Sequence, residues 1–98
     1  MRVWYLPDFW EDVQLAREWY EEQRLGLGAE FVAAIDLALT KIIERPQAYR
    51  IATRETRRCI IARFQHILFF ETTDQTLLVL GVVHGSRETR RWLKDRRR

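Results

Sequence analysis

The apolar residues of this chain change their period once, at Pro46, and that change dictates the architecture. Before it the spacing is helical. Phe9, Val13, Ala16 and Tyr20 recur at intervals of four, three and four, which places them on one face of a helix. Leu15 and Trp19 flank that stripe on one side and Trp10 on the other. Phe31, Ile35, Leu39 and Ile42 follow at four, four and three, with Val32, Ala38 and Ile43 widening the face. Gly26-Leu27-Gly28 separates the two stripes, a connection tight enough for an αα-hairpin. After Pro46 the runs are extended and rich in residues that suit a pleated surface: 58–64, 66–72 and 76–83.

The boundaries follow from local chemistry. Residues 2–6 read as a short strand closed by Pro7, and Asp8 with Glu11 forms a capping-box pattern that should open the first helix. Pro46 ends the second, because the residue before proline is pushed out of the helical region. A tight hairpin is expected around Phe64-Gln65 and a second turn at Thr73-Asp74-Gln75. The run 76–83 is apolar on both faces, as an interior strand would be. Ser86-x-x-Thr89 then opens a short C-terminal helix. The expected fold is α+β, in the order β-α-α-β-β-β: a helical hairpin packed on a three- to four-stranded antiparallel sheet, as one domain over residues 1–98.

Charge is split between the halves. Residues 1–48 hold 5 Lys/Arg against 9 Asp/Glu, and residues 49–98 hold 12 against 5. Such segregation suggests a surface aimed at an anionic partner, nucleic acid or an acidic protein segment, with a solvated basic tail as the plainer alternative. Cys59 is the single cysteine, so no intrachain disulfide forms. The longest apolar run, residues 77–83, is too short to span a bilayer. Asp8, Glu11 and Asp12 come too early for the apolar region of a signal peptide, so no membrane partner and a cytoplasmic location are expected.

Several stretches in this order resemble the RelE/ParE superfamily of bacterial toxins. They are Ala16-Arg17-Glu18-Trp19-Tyr20-Glu21-Glu22, then Gly26-Leu27-Gly28-Ala29-Glu30-Phe31, then Pro46 at the helix end. Next comes Arg57-Arg58-Cys59-Ile60-Ile61-Ala62-Arg63-Phe64 followed by residues 66–70, and last Val82-Val83-His84 with Arg87 and Trp92. The resemblance implies the toxin half of a type II toxin–antitoxin module, one that inhibits growth and stabilises plasmids. It implies no cofactor, a cognate antitoxin, and contact with operator DNA only through that antitoxin. The ParE-like branch blocks DNA gyrase and catalyses nothing; the RelE-like alternative cleaves messenger RNA on the ribosome. A non-toxic basic nucleic-acid-binding module is the third reading. Of three departures, two favour the ParE-like branch. Phe64-Gln65-His66 stands where its members usually read Phe-Pro-Tyr, Ile67 stands at the strand arginine of the ribonucleases, and Trp92 stands at their terminal proton carrier. The first departs from the ParE-like pattern itself, whereas the other two tell against ribonuclease chemistry.

RNA cleavage would need cations and proton carriers. Arg57, Arg58, Arg63 and Arg87 offer the first, and His66, His84, Glu71 and Tyr49 the second. The ribonuclease set is Arg58, His84 and Arg87, although His84 equally suits a structural cap at a strand end. Arg58 and Arg63, five apart in one extended run, should point to opposite faces. Cys59, His66 and His84 match no metal-ligand spacing, so no metal is expected. The expected target surface is Arg58, Arg87, Arg90, Arg91 and Trp92. Trp10, about 90° off its helix stripe, should be an exposed anchor for the antitoxin, with Arg87, Arg90, Arg91 and Arg96 available to an acidic segment.

Overall fold

The computed structural model describes residues 1–97. Strand β1 (Arg2–Tyr5) leads into α1 (Asp8–Gln23) and α2 (Leu27–Glu44), and a short 3-10 turn at Pro46–Ala48 leads to β2 (Ile51–Thr53). Then come β3 (Thr56–Ile60), β4 (His66–Thr72), β5 (Thr76–His84) and the C-terminal helix α3 (Thr89–Arg96). The fold is α+β, with a helical hairpin on one sheet face and α3 on the other. The sheet has five strands in the order β1-β5-β4-β3-β2 and is mixed, because β1 lies parallel to β5. Two features of the sequence hid this. β2 is a three-residue strand inside a polar stretch, too short to show a period. The direction of β1 is set by where the helical hairpin returns the chain, and four residues cannot encode that.

The hairpin is fixed at both ends of its connection. Gly26 sits at φ 90°, a conformation that glycine adopts freely. The Glu21 carboxylate accepts hydrogen bonds from Gly26 N and Gly28 N, both at 2.9 Å, and these bonds hold its pKa below the usual carboxylate range. A negative group at the start of α2 also favours its dipole. Phe9, Ala16 and Tyr20 from α1 and Phe31, Ile35 and Ile42 from α2 are buried against Leu68, Phe70, Leu77 and Val79 of the sheet, while Val13 and Leu39 pack around them. The other face holds a much smaller core of Phe69, Leu80, Val83 and Leu93, with Trp92 and Ile67 packed beside it.

Three local expectations are corrected. Pro7, not Asp8, caps α1; it makes no side-chain cap bond, and its backbone is already helical. Proline is pre-organised for a helix start, which moves Asp8 into the first turn beside Glu11. The strand expected over 58–64 stops at Ile60, and residues 61–65 form the turn. Ile61 and Phe64 are buried there all the same, so burial outside a strand mimicked an extended pattern. Arg63 therefore lies in a turn, at φ 72°, and does not share a strand with Arg58. Finally, α3 begins at Thr89, three residues after Ser86, and the Glu88 side chain caps it by accepting from Arg90 N at 2.9 Å. Ser86 is engaged with His84 instead.

Candidate functional site

Strand β5 outruns its neighbour. β1 pairs with it only from Thr76 to Val79, so the edge from Leu80 to His84 has no strand beside it. Two charged side chains take the place of one. Asp12 on α1 accepts from Val82 N at 3.0 Å, and Arg96 on α3 donates to the Leu80 carbonyl at 3.0 Å. The two grip each other through paired bonds of 2.7 and 3.0 Å, with both side chains only 12% exposed. The Arg96 guanidinium also stacks 4.4 Å from the Trp92 ring centre. Gly81 passes beneath this pair: a Cβ there would collide with Asp12 Oδ2 and Arg96 Nη1. Bidentate geometry and backbone bonds on both partners are what a desolvated ion pair needs to hold.

The far end of β5 carries the histidines. His66 and His84 are directly opposed across β4 and β5, their ring centres 5.3 Å apart. Register therefore turns both toward the helical hairpin, as it does Leu68 and Val82. The Tyr20 hydroxyl accepts from Gln65 N at 2.9 Å and is hydrogen-bonded to His66 Nδ1, also at 2.9 Å. Burial, and then the neighbouring His84, push the His66 pKa down to about 4, leaving the ring neutral. On His84, Nε2 donates to Gln65 Oε1 at 2.8 Å, and Nδ1 accepts from Ser86 Oγ at 2.8 Å and Ser86 N at 3.1 Å. Trp19 covers the pair edge-on, 5.5 Å from His84 and 6.3 Å from His66. A cavity of about 430 Å³ opens between these rings, Asp12, Arg87 and Trp92. Arg87 is exposed and forms no ion pair among the described residues.

The remaining sequence-derived residues are dispersed. Arg58 lies opposite Phe69, on the α3 side of the sheet and away from the histidines. Arg57 instead reaches the Tyr49 carbonyl and Gln47 and braces the loop before β2. Arg90 and Arg91 are exposed on α3, whereas Trp92 is half-buried against Phe69. Trp10 is 59% exposed, resting on Tyr5 and Phe9. Arg96 departs from expectation: the ion pair with Asp12 leaves it nothing to offer an acidic partner. Cys59 is buried in the main core, which pushes its thiol pKa up. No group of His, Cys, Asp and Glu is placed to hold a metal ion among the described residues. Nor is any described helix long and apolar enough to cross a membrane. Sequence reasoning missed Asp12 and Tyr20. Asp12 reads as one more acidic residue of a first turn, and Tyr20 as a member of an apolar stripe.

Both rings of the histidine pair are held by internal bonds, and His66 is neutral and only 8% exposed. Against known proteins, residues 3–89 match the model of the ParE toxin of the type II toxin–antitoxin system parDE. No curated protein matches the chain by sequence. Among solved structures, the fold resembles a chain of the chromosomal ParDE toxin–antitoxin system from P. aeruginosa, at TM-score 0.72 and 11% identity, covering 86% of this chain and 95% of that one. It also resembles the isolated E. coli RelE toxin, at TM-score 0.64 and 13% identity, covering 99% of this chain and 98% of that one.

Proposed function

The chain belongs to the ParE toxin family of type II toxin–antitoxin systems, and from that premise we propose that it acts by binding DNA gyrase and is held inert by a cognate antitoxin. The observation that carries this reading is the committed state of its proton carriers. His84 uses both ring nitrogens on Gln65 and Ser86, His66 is a buried neutral base on Tyr20, and Trp92 has no titrating group. A ribonuclease needs an acid and a base free to reach the scissile phosphate. On the α3 side of the sheet, Ile67 and Phe69 occupy β4 where phosphate-binding cations would be wanted. Target contact then falls to exposed Arg87, Arg90 and Arg91, with Trp92 and Arg58 alongside, in the cytoplasm where gyrase works. Purified protein should inhibit gyrase supercoiling and leave ribosome-bound message intact, and His84→Ala should retain that inhibition.

One observation favours the endonuclease reading: Arg87, without an ion pair, stands three residues from His84 at the mouth of the same cavity. Primer extension on translating ribosomes decides the matter. New cleavage ends that vanish in both His84→Ala and Arg87→Ala would overturn the gyrase reading.

The antitoxin partner follows from the surface. Trp10 is a broad apolar side chain already fixed by two aromatic neighbours, so it loses little freedom on binding. An amphipathic, acidic segment that folds on contact suits Trp10 together with Arg87, Arg90 and Arg91. Trp10→Ala should weaken the complex by about 2 kcal/mol or more, as read by calorimetry. Unchanged affinity would remove this end of α1 from the interface.

A further inference from the structure

Among the described residues, two other than glycine adopt left-handed backbone conformations: Arg54 at φ 51° and Arg63 at φ 72°. That geometry costs an L-residue free energy, and it persists where the surroundings enforce it or function uses it. For Arg63 the reason is visible, since its guanidinium lies over the Phe64 ring at 5.2 Å and pairs with Glu30 at 3.6 Å. Arg54 has no such contact. It sits at the first position of the two-residue turn joining β2 and β3, a place that hairpins normally give to glycine when φ is positive. Its ion pairs among the described residues are none.

This turn faces α3 across a groove of about 500 Å³ lined by Thr53, Arg54, Arg90, Leu93, Lys94 and Arg97. Arg90 and Lys94 are one helical turn apart, so both project from the same side of α3. Arg97 is already neutralised by Glu55 at 2.9 Å and Glu71 at 3.0 Å. Arg54, Arg90 and Lys94 form no ion pair among the described residues, and the carboxylate next to Arg90, that of Glu88, caps the helix backbone. The only apolar lining residue, Leu93, is buried as the floor.

Three cations from two elements thus converge on a groove whose lining contains no exposed apolar or aromatic residue. An amphipathic peptide would find no exposed apolar residue against which to pack an anchor side chain. A single strand would find no ring on which to stack its bases. A duplex hides its bases and offers regularly spaced phosphates, which arginine and lysine suffice to bind. We infer that the groove between α3 and the β2–β3 turn binds the phosphate backbone of duplex DNA, without reading sequence, through Arg54, Arg90 and Lys94. The inference goes beyond the gyrase reading and stands or falls separately from it, since the site needs no target protein.

The test is fluorescence anisotropy of a labelled short duplex of mixed sequence, titrated with the full chain over a range of salt concentrations. Each phosphate neutralised contributes about −0.9 to the slope of log affinity against log salt, so Arg54→Ala/Arg90→Ala/Lys94→Ala should flatten it by about 2.7 and lower low-salt affinity about tenfold or more. A triple substitution of equal charge on the helical hairpin, Arg17→Ala/Lys41→Ala/Arg45→Ala, should leave both nearly unchanged. Arg54→Gly separates function from architecture: it relaxes the turn, so thermal stability should hold or rise while affinity falls, and Arg54→Lys should restore much of that affinity. Equal losses in the two triple variants would reduce the effect to diffuse charge and overturn the assignment. So would undiminished binding in the groove variant, or poly-glutamate of matched charge binding as tightly as the duplex.

Discussion

The two faces of the sheet are held by different forces. Toward the helical hairpin, Phe9, Phe31, Ile42 and Phe70 are essentially free of water and interlock with Tyr20 and Ile35. The buried polar pair on that side, Tyr20 with His66, is neutral and joined by a 2.9 Å hydrogen bond. Toward α3 the buried apolar cluster is just Phe69, Leu80, Val83 and Leu93. Charge makes up the difference: Arg96 pairs with Asp12, and Arg97 reaches Glu55, Glu71 and the Thr56 hydroxyl. A basic eight-residue helix cannot bury enough apolar surface to dock by that means alone. The lesson is that the hairpin belongs to the cooperative core, whereas α3 is an attachment whose strength depends on the pairing of a few ions.

The largest expected effect tests the apolar side. Ile35→Ala removes a side chain 2% exposed at the centre of the hairpin face and should cost about 2–5 kcal/mol, read as a lower urea midpoint for the whole domain. A loss under about 1 kcal/mol, the scale of a surface change, would mean that the hairpin is not the dominant core.

The next effect tests the charged side. Asp12→Ala leaves the Arg96 guanidinium with only the distant Asp8 carboxylate at 3.8 Å and Val82 N without its acceptor, at a cost of about 3 kcal/mol. Hydrogen exchange should show α3 losing protection before the β3–β4–β5 meander does. Adding Arg96→Met should recover part of the loss, because the stranded charge is then gone. If α3 and the meander lose protection together, the two faces form a single cooperative unit and the contrast drawn here is broken.

The smallest effect concerns the neutral cluster. His66 titrates near 6.5 when unfolded and at about 4 when folded, so the unfolded chain binds the extra proton between those values. Its contribution is complete above about pH 6.5 and is lost as pH falls toward 4, about 2 kcal/mol of it by pH 5. Denaturation of His66→Gln across that window should show a flatter pH dependence than the parent chain. An unchanged slope would mean that His66 is not what makes the hairpin side sensitive to acid.

Much of the fold was legible because amphipathic periods are long-range averages. The stripes over Phe9–Tyr20 and Phe31–Ile42, the glycine break and the stop at Pro46 are read directly, and the structure keeps all of them. Short elements were not legible. β2 has no period to show, and the Ile61–Gln65 turn buries Ile61 and Phe64 as a strand would. The candidate site was half legible: His84, Arg87 and Trp92 do meet at one cavity, but Arg58 lies on the α3 side and Arg96 is consumed by Asp12.

By itself, then, the sequence determined the class of fold, the order of the long elements and the residues of the main core, since each depends on neighbours within a few turns of chain. Only tertiary structure decided that β1 runs parallel to β5, that Asp12 and Arg96, eighty-four residues apart, substitute for a strand, and that Arg54 faces α3 across a basic groove. Each of these pairs groups distant in the chain whose meeting is fixed by how the layers pack, and no local propensity carries that information.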